Sequence, residues 1–377
     1  WGEGFFKPGL TASFDTGTAG TLYGGAAVVG LATWGGPDAA GLNRDNPKHI
    51  DPDQLYAGWK SGKLLPLGEN AVDVSFGQQD FKVGDGFLVW DANTADTREG
   101  AYWLGPKTAF NRAGILRLNT TPVRGDFVYL KSDSDTGDTQ LFGANVEYPM
   151  DKIGTFGAMF LKVTDVRDNF FLNDARDGMR VLDVRFQGTP AENLFVSAEL
   201  TGEYTSGNDA PLKAYAWYAE AGYTLAKLPW APGISYRYSQ FSGDDPNTPK
   251  FEDFDPLFYG FGRGWGTWFQ GEIVGEYLLF NSNERAHQLV LKAKPAESLG
   301  VGVQLYRFFL DKPQYFGSDT EGRHFADELN VYADWQATAN LYLGAVAGIA
   351  KPGEAAKASF GNDKNYSLVE LNATVTF

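Results

Sequence analysis

Charged side chains recur along this 377-residue chain at alternate positions of short apolar runs, a spacing suited to holding ions rather than to breaking bonds. Asp183 and Arg185 alternate with Leu182, Val184 and Phe186, and Glu199 and Glu203 follow the same rhythm against Val196, Ala198 and Leu200. Read by parity, Arg117, Lys162, Arg185, Arg237, Lys292 and Lys294 bring positive charge to one side. Asp73, Glu147, Asp183, Glu199, Glu203, Glu220, Glu328, Asp334 and Glu370 bring negative charge to the same side. Opposed ladders of both signs hold a transverse field across a pore, and rings of one sign set ion selectivity. The alternative is that neighbouring strands pair these charges to satisfy a buried polar interior. The mixture of signs leaves selectivity open.

Constellations for covalent chemistry are thin, and no enzymatic activity is expected. There is no Gly-x-Ser-x-Gly elbow, and His49, His287 and His324 fall in or beside expected loops without a nucleophile pattern. The glycines of Gly260–Gly266 lack dinucleotide spacing and follow no βαβ unit. Asp133-Ser-Asp-Thr-Gly-Asp138 resembles part of a calcium loop but lacks the late glutamate and flanking helices, so a solvated hairpin tip is expected there. No cofactor or metal is implied.

The segment Phe254 to Phe280 is the strongest candidate for a working loop. Long loops inside compact folds are usually functional. Phe254, Phe258, Tyr259, Phe261, Trp265, Trp268 and Phe269 make it too apolar to hang in water. Folded inward, it forms a constriction in which Tyr259, Trp265 and Trp268 stack on sugar rings while Arg263 and Glu272 contact hydroxyls or carboxylates. The bland version is a plug that only stiffens the wall.

The elements that would carry these groups are strands. From Val369 to Phe377 apolar and polar residues alternate without a fault, ending on an aromatic of the apolar side. Similar runs of about ten residues recur upstream, among them Val72–Gly77, Thr155–Thr164, Val181–Gln187 and Leu329–Trp335. In Thr155–Thr164 the reading puts Met159, Leu161 and Val163 toward lipid and Lys162 inward. No run approaches the roughly 18–20 apolar residues of a membrane helix, whereas barrel strands need only about 9–11. Tight turns at Asp15–Gly20, Ser61–Ala71, Thr120–Gly125, Pro149–Ile153, Gly188–Asn193, Lys227–Pro232, Ala293–Leu299 and Gln336–Asn340 alternate with long loops. Outer-membrane barrels alternate tight periplasmic turns with long outer loops in this way. Aromatics near strand ends, such as Tyr215, Tyr236 and Trp335, fit interfacial girdles better than a sandwich core.

The expected fold is therefore one all-β domain, 1–377: a transmembrane antiparallel β-barrel of 16–18 strands in the bacterial outer membrane. About 17 strands fall in this chain, the first, at Leu10–Phe14, running toward the periplasm. An even total of 18 then needs a missing N-terminal strand, which is favoured over an extra strand at Glu272–Phe280. No signal peptide is visible, and Trp1 reads as the start of a processed chain. Partners follow from the setting: membrane lipid, lipopolysaccharide, and a saccharide or small-acid solute. A net charge of −15 argues against nucleic acid. The absence of cysteine fits a chain that folds without staples.

Two blocks carry a family resemblance. Phe254-Asp-Pro-Leu-Phe-Tyr-Gly-Phe-Gly-Arg-Gly-Trp-Gly-Thr-Trp-Phe-Gln-Gly-Glu272, with Asn281, Asn283, His287 and the strand Leu299–Phe309, resembles the alginate-export outer-membrane porins. So does Val74-Ser-Phe-Gly-Gln-Gln79 with Gly84–Asp91, which departs from the family pattern at Gln78, where an arginine is common. The resemblance implies an 18-stranded monomeric barrel with periplasmic termini, passing polysaccharide or small anionic solutes. The alternative function is a structural barrel sheathing a periplasmic partner of a secretion or electron-transfer complex.

Overall fold

The computed structural model describes the whole chain except residues 40, 95, 207–210 and 261–263. Its strands, in chain order, are β1 (Gly2–Phe6), β2 (Gly9–Asp15), β3 (Thr21–Trp34), β4 (Lys48–Lys60), β5 (Val72–Gln79), β6 (Phe110–Asn119) and β7 (Arg124–Lys131). Next come β8 (Gln140–Met150), β9 (Gly154–Asp165), β10 (Arg180–Ala191), β11 (Leu194–Tyr204), β12 (Lys213–Thr224) and β13 (Gly233–Phe241). The last are β14 (Glu284–Ala296), β15 (Leu299–Leu310), β16 (Gln314–Tyr315), β17 (Ser318–Asp319), β18 (His324–Gln336), β19 (Leu341–Pro352) and β20 (Tyr366–Val375).

β16 and β17 make a small separate hairpin, and the other 18 segments form one sheet. β1 and β2 are two halves of a single stave, because both pair with β3, at Gly30–Trp34 and Thr21–Ala27. Pro8 lies at the break, where it has no N–H to give a ladder, and its carbonyl accepts the Val28 N–H at 3.0 Å. Seventeen staves result among the described residues, each antiparallel to its neighbour in sequence. Short connections at 16–20, 61–71, 120–123, 151–153, 192–193, 225–232, 297–298 and 337–340 gather at one end. The long ones (35–47, 80–109, 132–139, 166–179, 205–212, 242–283, 311–323 and 353–365) gather at the other. The odd count and the downward first stave agree with the sequence.

An odd count has a geometric consequence. The β1–β2 stave and β20 both run toward the short-turn end, so they approach in parallel, and no ladder joins them among the described residues. Their side chains meet instead: the Phe6 and Phe377 rings are 6.2 Å apart. A cavity of about 700 Å³ lies along the seam between residues 1–7 and 369–377.

Parity sorts the wall as alternation demands. On β20, Val369, Leu371 and Val375 are exposed outward while Leu368 and Glu370 are buried. β5, β10, β11, β12, β13, β15 and β18 keep the faces read from sequence. β9 is inverted. Met159, Leu161 and Val163 are buried inward, and Phe160 is exposed outward with Lys162. The reason is that the inner wall of β6–β9 is itself apolar. Ala113, Ile115, Val128, Leu130, Leu141, Met159, Leu161 and Val163 form one cluster with loop residues packed inside the barrel. An alternation with apolar residues on both faces carries no parity signal.

Gly271–Leu279 is a π-helix, so the less favoured alternative of an extra strand at Glu272–Phe280 does not form. The tip at 132–139 is packed rather than solvated: Ser132, Asp133, Thr136 and Thr139 are buried, and Asp133 accepts the Thr136 N–H and hydroxyl at 2.8 and 2.7 Å. His49 and His324 lie beside loops, at the starts of β4 and β18, and His287 lies further along β14 on the outer wall, sharing a hydrogen bond of 2.7 Å with the Tyr236 hydroxyl.

Candidate functional site

Two long loops enter the barrel and are stitched to each other by backbone. Val89 and Phe258 form a parallel bridge. The Phe258 N–H donates to the Leu88 carbonyl at 2.9 Å, the Trp90 N–H to the Phe258 carbonyl at 2.7 Å, and the Gly260 N–H to the Gly86 carbonyl at 3.0 Å. The constriction thus has two halves, 80–109 and 242–283, of which the sequence identified the second. The signal for the first was the same: Phe81, Val83, Phe87, Leu88 and Val89 are as apolar as the run after Phe254, and all five are buried.

The centre is aromatic. Trp268 is fully buried, 4.7 Å from the Phe87 ring and 4.6 Å from Tyr218, with the Arg237 guanidinium carbon 4.6 Å from its own ring centre. Tyr259 packs on Phe269. Trp268 therefore has no free face for a sugar, contrary to the sequence expectation, because Tyr218 and Arg237 of the wall and Phe87 of the other loop cover it. Trp265 differs. It is half-buried, donates its indole N–H to Asp334 at 2.7 Å, and lies 5.9 Å from Tyr332 and 6.4 Å from Trp103. Arg263 lies outside the described residues.

Polar wall residues satisfy the loop backbone. Arg237 donates to the Gly266 carbonyl at 2.7 Å and Gln304 to the Trp265 carbonyl at 2.8 Å. Glu328 accepts the Ile273 and Val274 N–H groups at 3.1 and 2.8 Å, a carboxylate at a helix N-terminus. Gly271 allows that approach: its φ is +84°, and a Cβ there would fall 2.5 Å from the Glu328 carboxylate. On the same helix Glu272 and Glu276 are buried, and their Oε2 atoms find no hydrogen-bond partner among the described residues. Burial, then the Glu328 carboxylate, pushes Glu272 up to about 8. Burial, then Glu272, Glu370 and Glu328, pushes Glu276 well above the usual carboxylate range.

The wall charges divide by height and partner. Arg185 bonds Asn145 at 2.6 Å and Glu147 at 2.9 Å and pairs with Asp183 at 3.3 Å. Glu203 accepts the Asp255 N–H at 2.9 Å. Arg237 lies 4.0 Å from Glu220, and Arg117 3.9 and 3.8 Å from Asp73 and Asp126. Glu199, Glu328 and Glu370 are buried inward. Lys292 keeps the inward parity of Glu284, Ala286 and Gln288 but is exposed near the short-turn end, and Lys294 lies at a register shift close to that turn. Lys162 is on the outer wall and does not line the lumen. For a cation, His49, Asp51 and Glu99 bring ligand atoms within 4.8 Å of one another. The Lys107 ammonium already bridges Asp51 and Glu99 there, at 2.9 and 2.8 Å.

Solved outer-membrane barrels share this fold along the whole chain. Pseudomonas aeruginosa OccK5 (OpdH) matches with a TM-score of 0.56 at 13% identity, covering 100% of this chain and 93% of that one. Acinetobacter baumannii OccAB3 gives 0.58 at 11% identity, covering 98% and 92%. Wzi of Escherichia coli, described as a carbohydrate-binding β-barrel involved in group 1 capsule assembly, gives 0.53 at 10%, covering 98% and 82%. No curated protein matches the sequence. The family model for alginate export matches residues 36–370, spanning both resembling blocks and nearly every stave. The chain belongs to the alginate export family, outer-membrane β-barrels with a porin-like architecture.

Proposed function

We propose that the protein passively passes saccharide or small acidic solutes through its lumen, and that the two stitched loops are the constriction. The observation that supports this most is the Val89–Phe258 bridge, which closes the loops on each other inside the wall. A sugar would meet Trp265, Trp103 and Tyr332 rather than Trp268, because the Trp103 and Tyr332 rings gather around Trp265, which bonds Asp334, and all three are only half-buried. Arg117 on β6 and Arg124 on β7, both partly exposed, would exchange their partners Asp73 and Glu147 for the carboxylates of an acidic solute, whereas Arg185 stays buried among Asn145, Glu147 and Asp183. The sheath reading requires an inner wall filled by a separate chain; here the chain's own loops fill it, which favours the channel. Liposome swelling with a uronic-acid disaccharide against a neutral disaccharide tests the proposal. Equal exclusion of both after removal of the two loops would refute it.

A further inference from the structure

The outer wall carries a row of basic groups that the channel reading does not use. Lys162, Arg180, Tyr204 and Lys213 are register partners across β9, β10, β11 and β12: Lys162 opposes Arg180, Arg180 opposes Tyr204, and Tyr204 opposes Lys213. All four lie within three residues of the long-loop ends of their strands, the extracellular side of an outer-membrane barrel. The three cations are exposed, and none has an ion pair within 4 Å among the described residues. One pleat lower on the same face stand Phe160, Leu182 and Tyr215, all exposed as part of the apolar band.

Lys162 directly opposite Arg180 is a like-charge cross-strand pair, which costs stability unless something neutralises it. Elsewhere on this outer face the chain supplies its own acids: Arg285 pairs with Asp311 at 2.6 Å and Arg307 with Asp327 at 2.6 Å. At the Lys162 row it supplies none among the described residues. Tyr204 completes the site, with the Arg180 guanidinium 6.0 Å from its ring centre and its own body at the boundary between hydrocarbon and headgroup. We infer that this row binds the phosphorylated headgroup of an outer-leaflet glycolipid, with Lys162 and Arg180 on one phosphate and Lys213 beside it. Phosphate accepts several charge-assisted hydrogen bonds at once, and guanidinium matches it with two parallel donors. The acyl chains of the same lipid would cover Phe160, Leu182 and Tyr215. The inference rests on the outer-membrane placement and is independent of what the lumen carries.

The test uses the full chain in maltoside micelles, titrated with bis-phosphorylated lipid A, with dephosphorylated lipid A, with inorganic phosphate and with an oligo-uronate. The unfolding temperature and native mass spectrometry are the readouts. Bis-phosphorylated lipid A should bind and raise the unfolding temperature by several degrees. The K162Q/R180Q/K213Q variant should bind it at least tenfold more weakly, R180Q alone should show part of that loss, and R307Q, whose arginine is internally paired, should match wild type. Equal binding of dephosphorylated lipid, or undiminished binding by the triple variant, overturns the assignment. So does tighter binding of oligo-uronate or inorganic phosphate than of bis-phosphorylated lipid A, which would make the row a site for a soluble anion.

Discussion

Arg176 and Asp255 form a two-pronged buried ion pair, Nε to Oδ2 at 2.6 Å and Nη2 to Oδ1 at 2.5 Å, joining the loop 166–179 to the constriction loop 242–283. The remaining Arg176 donors reach the Thr136 carbonyl at 3.0 Å and the Thr139 hydroxyl at 3.2 Å, so a third loop is tied in. Removing one partner of such a pair strands the other charge without water. Arg176→Ala or Asp255→Ala should cost about 3–5 kcal/mol of loop docking. Limited proteolysis of folded protein should then cut within 242–283, where wild type resists; resistance equal to wild type would show that the pair does not hold the plug.

Parity defines the lipid face. Val184→Arg or Leu371→Arg should lower folding free energy by about 2–4 kcal/mol near midplane depth, with Thr374→Arg tolerated on the other face. The inverted β9 adds a sharper case: Phe160→Arg should also destabilise, though less than Val184→Arg because Phe160 lies one pleat nearer the headgroups. Urea titrations of folding into lipid vesicles measure all four, and a harmless Phe160→Arg would restore the register read from sequence.

Glu272 binds its proton more tightly in the docked loop, up to about 8, than a free carboxyl does near 4.5. A raised acid contributes stability that is complete below the unfolded value and is lost as pH rises through the folded one. Docking should therefore weaken between about pH 4.5 and 8, and channel conductance should climb over the same window. Glu272→Gln should flatten that climb; a wild-type profile in this variant would remove Glu272 from the gate.

The seam is a contact without a ladder. Cysteines at Phe6 and Phe377 should couple through a short bifunctional thiol reagent, since the native rings are 6.2 Å apart. A pair at Phe6 and Leu161, on staves far apart in the sheet order, should not. Failure of the first pair would mean that the seam stands wider than these rings indicate.

Much of this was legible in the chain. The staves, their direction, the turn positions and most inward charges followed from period-2 alternation, as Asp183, Arg185, Glu328 and Glu370 show. So did the inward fold of the described parts of 254–280, from solvation alone. The misreadings share one cause. An interior packed by its own loops is apolar wherever they touch, so Leu161 resembled a lipid-facing residue and Lys162 a lumenal one. Trp268 reads as a sugar platform in sequence because sequence cannot show that Phe87, 181 residues away, closes its face. The Arg176–Asp255 pair was invisible for the same reason of distance.

The most direct test of the constriction is single-channel conductance of the purified chain in planar bilayers, before and after both loops, 82–107 and 254–280, are replaced by short glycine–serine links. Wild type should show a small conductance, with a partial increase when either loop alone is removed and a severalfold increase when both are gone from a barrel that still resists heat. Unchanged conductance in a folded double-loop variant would place the loops outside the conduction path and contradict the account.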